Sequence, residues 1–258
     1  MQKNTSWVMR YFLDISYKGT HFHGWQIQQN AYTVQEALNG VLEKILQHPV
    51  ETAGSGRTDT GVHAKHQWVH LDAELELTNY NHLIKFNALL PNDIVVNGIY
   101  KATRPDAHVR FDALARSYEY ILSPKPNPFL KELAGFIFKP LDVVAMNEAA
   151  KLLLKHTDYE CFSKVAQHQE HHLCNISKAS WTTKEGLLVF NITANRFLRG
   201  MVRLIVGTLI EVGQGKRSIA EFEALILSKN LQNSAAAAPA DGLYLSEVEY
   251  PEGLLLSC

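Results

Sequence analysis

The chain has 258 residues, of which 46% are hydrophobic and 20% charged, and its 25 Lys and Arg against 26 Asp and Glu give a formal net charge of −1. This composition predicts a folded protein of one large domain or two small ones and excludes a disordered chain. A charge balance so close to zero also lacks the strongly basic character of many nucleic-acid binders.

No apolar run approaches the roughly 18 residues that a membrane span needs. The first residues, MQKNTSWVMRYF, lack the apolar core and small-residue cleavage site of a signal peptide. The three cysteines are odd in number and show no CxxC spacing. We therefore expect no membrane association, no disulfide framework and a cytoplasmic location.

Positive charge is concentrated in two segments, although the total is near zero. Residues 101–116 contain four basic side chains against two aspartates, and residues 196–217 contain five against Glu211 alone. A polyanion would meet these local fields rather than their sum. On charge alone, ordinary alternation of surface charge is the simpler explanation.

The first half of the chain predicts a β-α-β-β-α-β order, the split ferredoxin-like pattern. The alternation in YFLDISY is typical of a half-buried strand, and Thr33 with Glu36 forms a capping-box pattern ahead of an apolar stripe at helical spacing. The next predicted elements are a short strand near residues 50–53, the strand QWVHLD, a helix at residues 81–89 and the strand DIVVNGIY.

The second half predicts a similar arrangement without visible sequence repetition. Its predicted elements are the strand RSYEYIL, a helix at residues 143–155, the strands NISKASWT and LLVFNIT, an apolar helix at residues 196–213, a helix capped by Ser218 and Glu221, and the strand GLYLSEVEY after the loop SAAAAPADG. The predicted fold class is α+β, with two ferredoxin-like halves at residues 1–104 and 105–258.

A glycine-rich stretch, GSGRTDTGVHA at residues 54–64, places Arg57 and Asp59 two positions apart in a predicted loop. An Asp in such a loop often only closes an Asx-turn on its own backbone. The alternative is an active-site loop in which a nearby arginine keeps the carboxylate ionised and able to act as a nucleophile. Ser55 could also be a nucleophile, but no base or oxyanion arrangement can be named for it.

Arginines and tyrosines elsewhere allow two explanations each. Arg196, Arg199 and Arg203 fall on one side of the predicted apolar helix, where an arginine must reach water or meet an anion. We expect the first two to reach water and Arg203 to meet a carboxylate or phosphate. Tyr118, on the same strand face as Tyr120, either packs in the core, which spacing alone favours, or stacks on a nucleobase.

Histidine clusters suggest metal binding only weakly. HFH, HAKHQWVH and HQEHH (residues 168–172) lack the HExxH or paired CxxC spacing that makes such a signal specific. The chain also lacks a Walker P-loop, a GxGxxG motif after a strand and a GxSxG elbow. We expect no metal and no nucleotide cofactor.

Six blocks resemble, in the same order, the TruA-type tRNA pseudouridine synthases, and together they cover nearly the whole chain. They are YKGTHFHGWQIQ, SGRTDTGVHA, NALLPNDIVV, FDALARSYEY, NRFLRGMVRLIVGTLIEVG and APADGLYLSEVEY. The departures are small: Thr60 stands where the family often has alanine, and HQEHH matches no familiar motif.

This resemblance implies a fold of two RRM-like halves around a cleft and a reaction that detaches, rotates and rejoins uridines at positions 38–40 of the tRNA anticodon stem-loop. It implies Asp59 as the catalytic carboxylate, Arg57 as an aid to turning the nucleotide out, Tyr118 as the side chain that stacks on the target base, and Arg203 as the partner of Asp59. It also implies a homodimer that needs no cofactor. The residues expected to bind substrate, besides Tyr118, are Arg110, Arg116, Arg199 and Leu245.

Two other functions remain open at this point. A non-catalytic RNA-binding protein of the same fold would bind tRNA without isomerising it. A metal-dependent hydrolase built on the histidine clusters would contain stoichiometric zinc.

Overall fold

A computed structural model of the chain describes residues 8–164 and 171–258. It contains helices and mainly antiparallel strand pairs, which confirms the α+β class. The elements are β1 (Met9–Tyr17), α1 (Val34–Leu46), β2 (Ala53–Gly54), β3 (His63–Ala73), α2 (Ile84–Leu89), β4 (Ile94–Ala102), β5 (Ala115–Ser123), β6 (Gly135–Phe136), α3 (Val143–Leu152), β7 (Ile176–Lys184), β8 (Leu187–Ala194), α4 (Met201–Gly213), α5 (Ile219–Ser228), β9 (Leu243–Glu249) and β10 (Leu255–Ser257).

The chain forms two compact units. Unit 1 comprises Met1–Leu114 and Leu245–Cys258, and unit 2 is the uninterrupted stretch Ala115–Tyr244. The boundaries predicted from the sequence, 1–104 and 105–258, run differently because the last residues return to unit 1. Leu254 packs in a core cluster with Phe12 and Val109, and β10 pairs with β4.

Unit 1 contains the predicted β-α-β-β-α-β order, and β1 lies between β3 and β4, antiparallel to both. Thr33 caps α1 as the sequence predicts, because its hydroxyl oxygen accepts from the Glu36 N–H. The predicted half-buried strand is instead buried on both sides over most of β1. Phe12, on the second side, is covered by the 107–109 segment and Leu254.

In unit 2, β8 lies between β5 and β7, antiparallel to both. Across these three strands Tyr120 is opposite Phe190 and Phe190 is opposite Trp181, so three buried aromatic side chains form one row. Helix α3 is joined to β7 through Asn147, whose amide donates to and accepts from the Trp181 backbone. The Ser218–Glu221 capping box predicted for α5 is formed in both directions.

Helix α4 begins later than the sequence predicts. Gly200 is its N-cap residue in the left-handed region, with φ at 71°, so the helix starts at Met201 rather than near residue 196. Arg196 and Arg199 therefore lie in the loop before α4, and the predicted row of three arginines on one helix side does not exist. Only Arg203 is helical.

An alanine-rich segment, residues 235–239, runs along α4 without helical structure of its own. The Ala235 N–H donates to the Thr208 hydroxyl, and Ala238 and Arg203 share two hydrogen bonds. A Cβ at Gly207 would lie 2.1 Å from the Ala236 carbonyl oxygen. This close backbone approach requires glycine at position 207.

Among the described residues, no helix combines the length and the apolar character needed to cross a membrane.

Candidate active site

The stretch GSGRTDTGVHA connects β2 to β3, and its first residues are held by β3. The Ser55 N–H donates to the Trp68 carbonyl at 2.8 Å, and the Ser55 hydroxyl donates to Gln67 Oε1 at 3.1 Å. Ser55 is 1% exposed. The serine that the sequence left open as a nucleophile is therefore a buried structural residue.

Gln67 and Trp25 fix the start of this loop. The Gln67 side-chain amide donates to the Gly56 carbonyl at 2.8 Å, so one buried glutamine bonds two consecutive loop residues. A Cβ at Gly54 would lie 2.5 Å from Trp25 Nε1, and the Trp25 side chain is itself buried. Only a glycine fits between this indole and β3.

The middle of the loop is held by Thr58, which directly precedes the aspartate. The Thr58 carbonyl accepts from the Trp25 N–H at 3.2 Å, and its hydroxyl is 2.8 Å from the Tyr17 hydroxyl. On the other side, the Asp59 carbonyl accepts from the Val62 N–H at 3.1 Å. The backbone of Asp59 is thus bonded on both sides, which fixes the place in the loop from which its side chain projects.

Exposure along the loop alternates. Thr58 is buried, Arg57 is exposed and Asp59 is half-buried. In an Asx-turn the aspartate side chain would accept from the N–H two residues on, but the Gly61 N–H is directed to the Phe22 carbonyl at 3.4 Å. The loop therefore presents an arginine and a carboxyl group on a backbone that other side chains and strands hold in place.

In unit 2, Tyr118 and Tyr120 share one side of β5 but differ in environment. Tyr120 is fully buried, its hydroxyl donates to the Pro239 carbonyl at 2.9 Å, and burial raises its pKa well above the usual value. Tyr118 is half-buried, and its ring meets the Phe197 ring edge-on at 5.1 Å and 89°. Tyr118 thus keeps part of its ring surface accessible, whereas Tyr120 is a core residue.

The arginines of unit 2 are anchored at different places. The Nε of Arg203 donates to the Ala238 carbonyl at 2.6 Å, and the Arg203 carbonyl accepts from the Ala238 N–H at 2.9 Å. Arg116 donates to the Asn195 carbonyl at 3.0 Å. Arg199 is exposed in the loop before α4.

The two other predicted substrate-binding residues lie in unit 1. Arg110 is exposed, with its guanidinium carbon 5.8 Å from the centre of the Phe111 ring. Leu245 begins the returning segment of unit 1 within β9 and is 1% exposed. Of the two, Arg110 presents a surface to solvent in this structure.

Three side chains that position the loop were not singled out from the sequence: Tyr17, Trp25 and Gln67. Tyr17 and Trp25 lie within the block YKGTHFHGWQIQ, and Gln67 looks like any other strand residue. Their contacts join positions 11 to 41 residues apart along the chain, a separation that no local pattern reports.

The histidines of HAKHQWVH serve separate local contacts. His63 Nδ1 accepts from the Gly19 N–H, His70 Nδ1 accepts from the Val109 N–H, and His66 is 3.0 Å from Asp14. Each imidazole ring thus makes its own contact at a different position along β3.

A second group of possible metal ligands lies in unit 2. Ligand atoms of Asp158, Glu160 and His172 lie within 4.8 Å of one another, but the Lys229 ammonium is 2.6 Å from Asp158 Oδ2 and already supplies a cation there. Of the HQEHH stretch, residues 168–170 lie outside the described residues.

A chain of α+β class that carries an arginine and an aspartate on a glycine-rich loop with a hydrogen-bonded backbone has features found in enzyme active sites. The sequence model of the tRNA pseudouridine synthase family matches residues 15–112 and 149–251. This chain belongs to that family. The matched ranges include Arg57, Asp59 and Arg203, whereas Tyr118 lies between them.

Relatives named tRNA pseudouridine synthase A match the chain over nearly its full length. The one from Bacteroides fragilis is 45% identical over 249 residues, which are 95% of this chain and 98% of the relative. The one from Porphyromonas gingivalis is 41% identical, over 96% of this chain and 100% of the relative. The one from Bordetella avium is 37% identical, over 95% of this chain and 92% of the relative.

Proposed function

We propose that the chain isomerises uridine to pseudouridine in the anticodon stem-loop of tRNA, with Asp59 as the catalytic carboxylate. The supporting observation is the backbone of Asp59, which is bonded on both sides in a loop that also carries Arg57. Family membership supplies the reaction and the class of substrate.

The chemistry suits a single carboxylate. The bond between uridine N1 and ribose C1′ breaks, a bond between C5 and C1′ forms, the proton on C5 leaves, and N1 gains a proton. Nothing is oxidised, reduced or hydrolysed. A lone carboxylate could attack the sugar, attack the base or remove a ribose proton, and each of these steps requires its ionised form.

The remaining site residues receive roles that match their environments. Exposed Arg57 aids the turning out of the target nucleotide, a step that costs a few kcal/mol. The accessible part of the Tyr118 ring stacks on the target base, and Arg203 supplies positive charge to Asp59. Arg110, Arg116 and Arg199 contact the tRNA backbone, and buried Leu245 contributes by packing.

We further propose that the enzyme acts as a cytoplasmic homodimer. This rests on the family resemblance. A second subunit would bring a second set of basic side chains to an elongated, highly charged substrate.

Tritium release from tRNA labelled at uridine C5 tests the function directly, because the new bond to C5 expels that hydrogen. We expect release by the wild type and a loss of more than about 10³-fold in Asp59→Asn, with tRNA affinity and melting temperature retained. Asp93→Asn, which removes a loop carboxylate that pairs with His21, serves as the matched control and should keep full turnover.

Tritium retention by the wild type, with tRNA still bound, would instead support the non-catalytic RNA-binding protein. Full activity in Asp59→Asn would contradict the assignment of the carboxylate. Stoichiometric zinc in protein purified without a histidine tag would favour the hydrolase.

A further inference from the structure

Unit 1 presents a large aromatic side chain to solvent from a short segment outside the strands, residues 107–112. Phe111 is 75% exposed, although the residue two positions before it, Val109, is fully buried. Leaving a phenylalanine ring in water forgoes the free energy that its burial would contribute. An exposed ring of this size is a candidate contact surface for another molecule.

The backbone beneath Phe111 is held by several hydrogen bonds. The Asp112 N–H donates to the His108 carbonyl at 3.0 Å, and Asp112 Oδ2 accepts from the His108 N–H at 2.6 Å. The Val109 N–H donates to His70 Nδ1 at 3.1 Å, and the Val109 carbonyl accepts from the Tyr250 hydroxyl. The segment is therefore fixed at both ends and in its middle.

The ring of Phe111 lies on a second ring. His108 is 4.3 Å from it, centre to centre, at an angle of 35°, and His108 in turn meets His70 edge-on at 4.6 Å. Burial lowers the pKa of His108, so this ring is neutral at neutral pH. We call the His108 and Phe111 side chains the aromatic shelf.

A cation lies over the Phe111 ring of the shelf. The Arg110 guanidinium is within cation–π distance of the Phe111 ring and is exposed. An exposed aromatic ring on a hydrogen-bonded backbone, with a guanidinium over it, is suited to an unpaired nucleobase and its phosphate, because every base has a π-face that can stack on aromatic rings and guanidinium planes and every nucleotide has a negative charge.

We propose that the aromatic shelf stacks an unpaired base of the tRNA, separate from the uridine that is isomerised. This inference rests on the proposed function, which supplies a substrate with unpaired loop bases. The shelf is preformed, so binding costs little ordering of the protein. Its role is to hold the tRNA in position.

The test compares Phe111→Ala and Phe111→Tyr in tRNA affinity and in tritium release. Loss of one stacked base should weaken binding by about five- to 150-fold in Phe111→Ala, whereas Phe111→Tyr should bind within about twofold of the wild type. Phe129→Ala is the matched control, since Phe129 is 86% exposed in unit 2 and has no role assigned here. It should leave binding unchanged.

A second readout separates stacking from a loss of charge or of fold. The dependence of affinity on salt should keep its slope in Phe111→Ala, because no phosphate contact is removed, and the slope should decrease in Arg110→Ala. A photoreactive benzoylphenylalanine at position 111 should crosslink to one loop nucleotide of the tRNA.

Unchanged affinity in Phe111→Ala, an equal loss in Phe129→Ala, or crosslinking only to a second protein chain would overturn the inference. Any of these results with normal tritium release by the wild type leaves the proposed function standing. Absent tritium release with the Phe111 effects intact would contradict the isomerase and retain the shelf as an RNA contact.

Discussion

At the scale of single residues, the loop that carries Asp59 is held in place by side chains outside it. Gln67 bonds Ser55 and Gly56 together, and Trp25 occupies the space where a side chain at position 54 would lie. The two glycines of GSG therefore have different roles, although they look equivalent in the sequence. A Cβ at Gly56 would meet nothing within 4 Å.

This difference predicts unlike outcomes for two similar substitutions. Gly54→Ala should lower the free energy of unfolding by about 1–3 kcal/mol, because the buried Trp25 indole must move, and should lower turnover as the loop shifts. Gly56→Ala should stay within about 0.5 kcal/mol of the wild type. Urea unfolding and tritium release measure both effects. Equal behaviour of the two variants would contradict the contact with Trp25.

The residues of the candidate site were predictable to different degrees. Arg57 and Asp59 stand out because a glycine-rich loop has few other reasons to hold opposite charges two positions apart. The burial of Ser55 could not be predicted from the sequence, because Gln67, which bonds it, comes 12 residues later and carries no local signal. Tyr118 and Tyr120 are indistinguishable by spacing, and only the Pro239 carbonyl and the Phe197 ring separate them.

At the scale of elements, the alanine-rich segment and α4 form one assembly. Residues 235–239 follow the helix closely enough that Gly207 contacts the Ala236 carbonyl, and Arg203 is held by Ala238 at both its backbone and its side chain. The orientation of Arg203 therefore depends on a loop that begins about thirty residues later.

Gly207→Ala should disturb this assembly. Its Cβ would meet backbone rather than a flexible side chain, so we expect a loss of about 1–3 kcal/mol in the free energy of unfolding and a lower rate of tritium release. Gly40→Ala is the matched helical control, because nothing lies within 4 Å of its added Cβ. It should stabilise α1 by roughly 0.5–1 kcal/mol. A stabilised Gly207→Ala variant would rule out the close approach.

Helix periodicity predicted α1 correctly but placed the start of α4 too early. The apolar pattern continues backwards through Phe197 and Leu198, so the sequence offers no break there except Gly200. The structure uses that glycine in the left-handed region to begin the helix. A glycine inside an apolar run can serve close packing within a helix or a change of backbone direction at its end, and the sequence does not distinguish the two roles.

At the scale of the whole molecule, the near-zero net charge conceals two basic segments, residues 101–116 and 196–217, which we propose contact tRNA. Arg116→Ala and Arg199→Ala should each flatten the plot of log affinity against log salt concentration by about 0.7–0.9. Filter binding across a salt series measures the slope. Lys44→Ala, which removes an exposed charge of α1 outside both basic segments, should leave it unchanged. A slope that responds equally to all three substitutions would indicate attraction by the overall charge rather than contacts of Arg116 and Arg199 with phosphates.

The stability of the molecule should depend on pH through His70. The pKa of His70 is lowered from its ordinary 6.5 to about 4, mainly by burial and secondly by the positive charge of Arg10. Between these values the unfolded chain binds one more proton than the folded one, so the free energy of unfolding falls as pH falls through this window.

From pH 7.5 to 5 the wild type should lose about 2 kcal/mol more than His70→Asn, whose side-chain oxygen can still accept from the Val109 N–H. Urea unfolding at the two pH values measures the difference. An identical pH dependence in the variant would show that folding does not lower the pKa of His70.

The chain leaves unit 1 at Leu114 and comes back to it at Leu245, and this sets an order during synthesis on the ribosome. Unit 2 is one continuous stretch, and its last residue, Tyr244, is synthesised before β10, the strand that pairs with β4. The half that carries Asp59 must wait for Tyr250 and Leu254 to join the Phe12 core. A chain that stops after Tyr244 would hold every residue of unit 2 but would lack part of the core of unit 1, so shortening the chain at its end should impair the unit that carries Asp59 before it impairs unit 2.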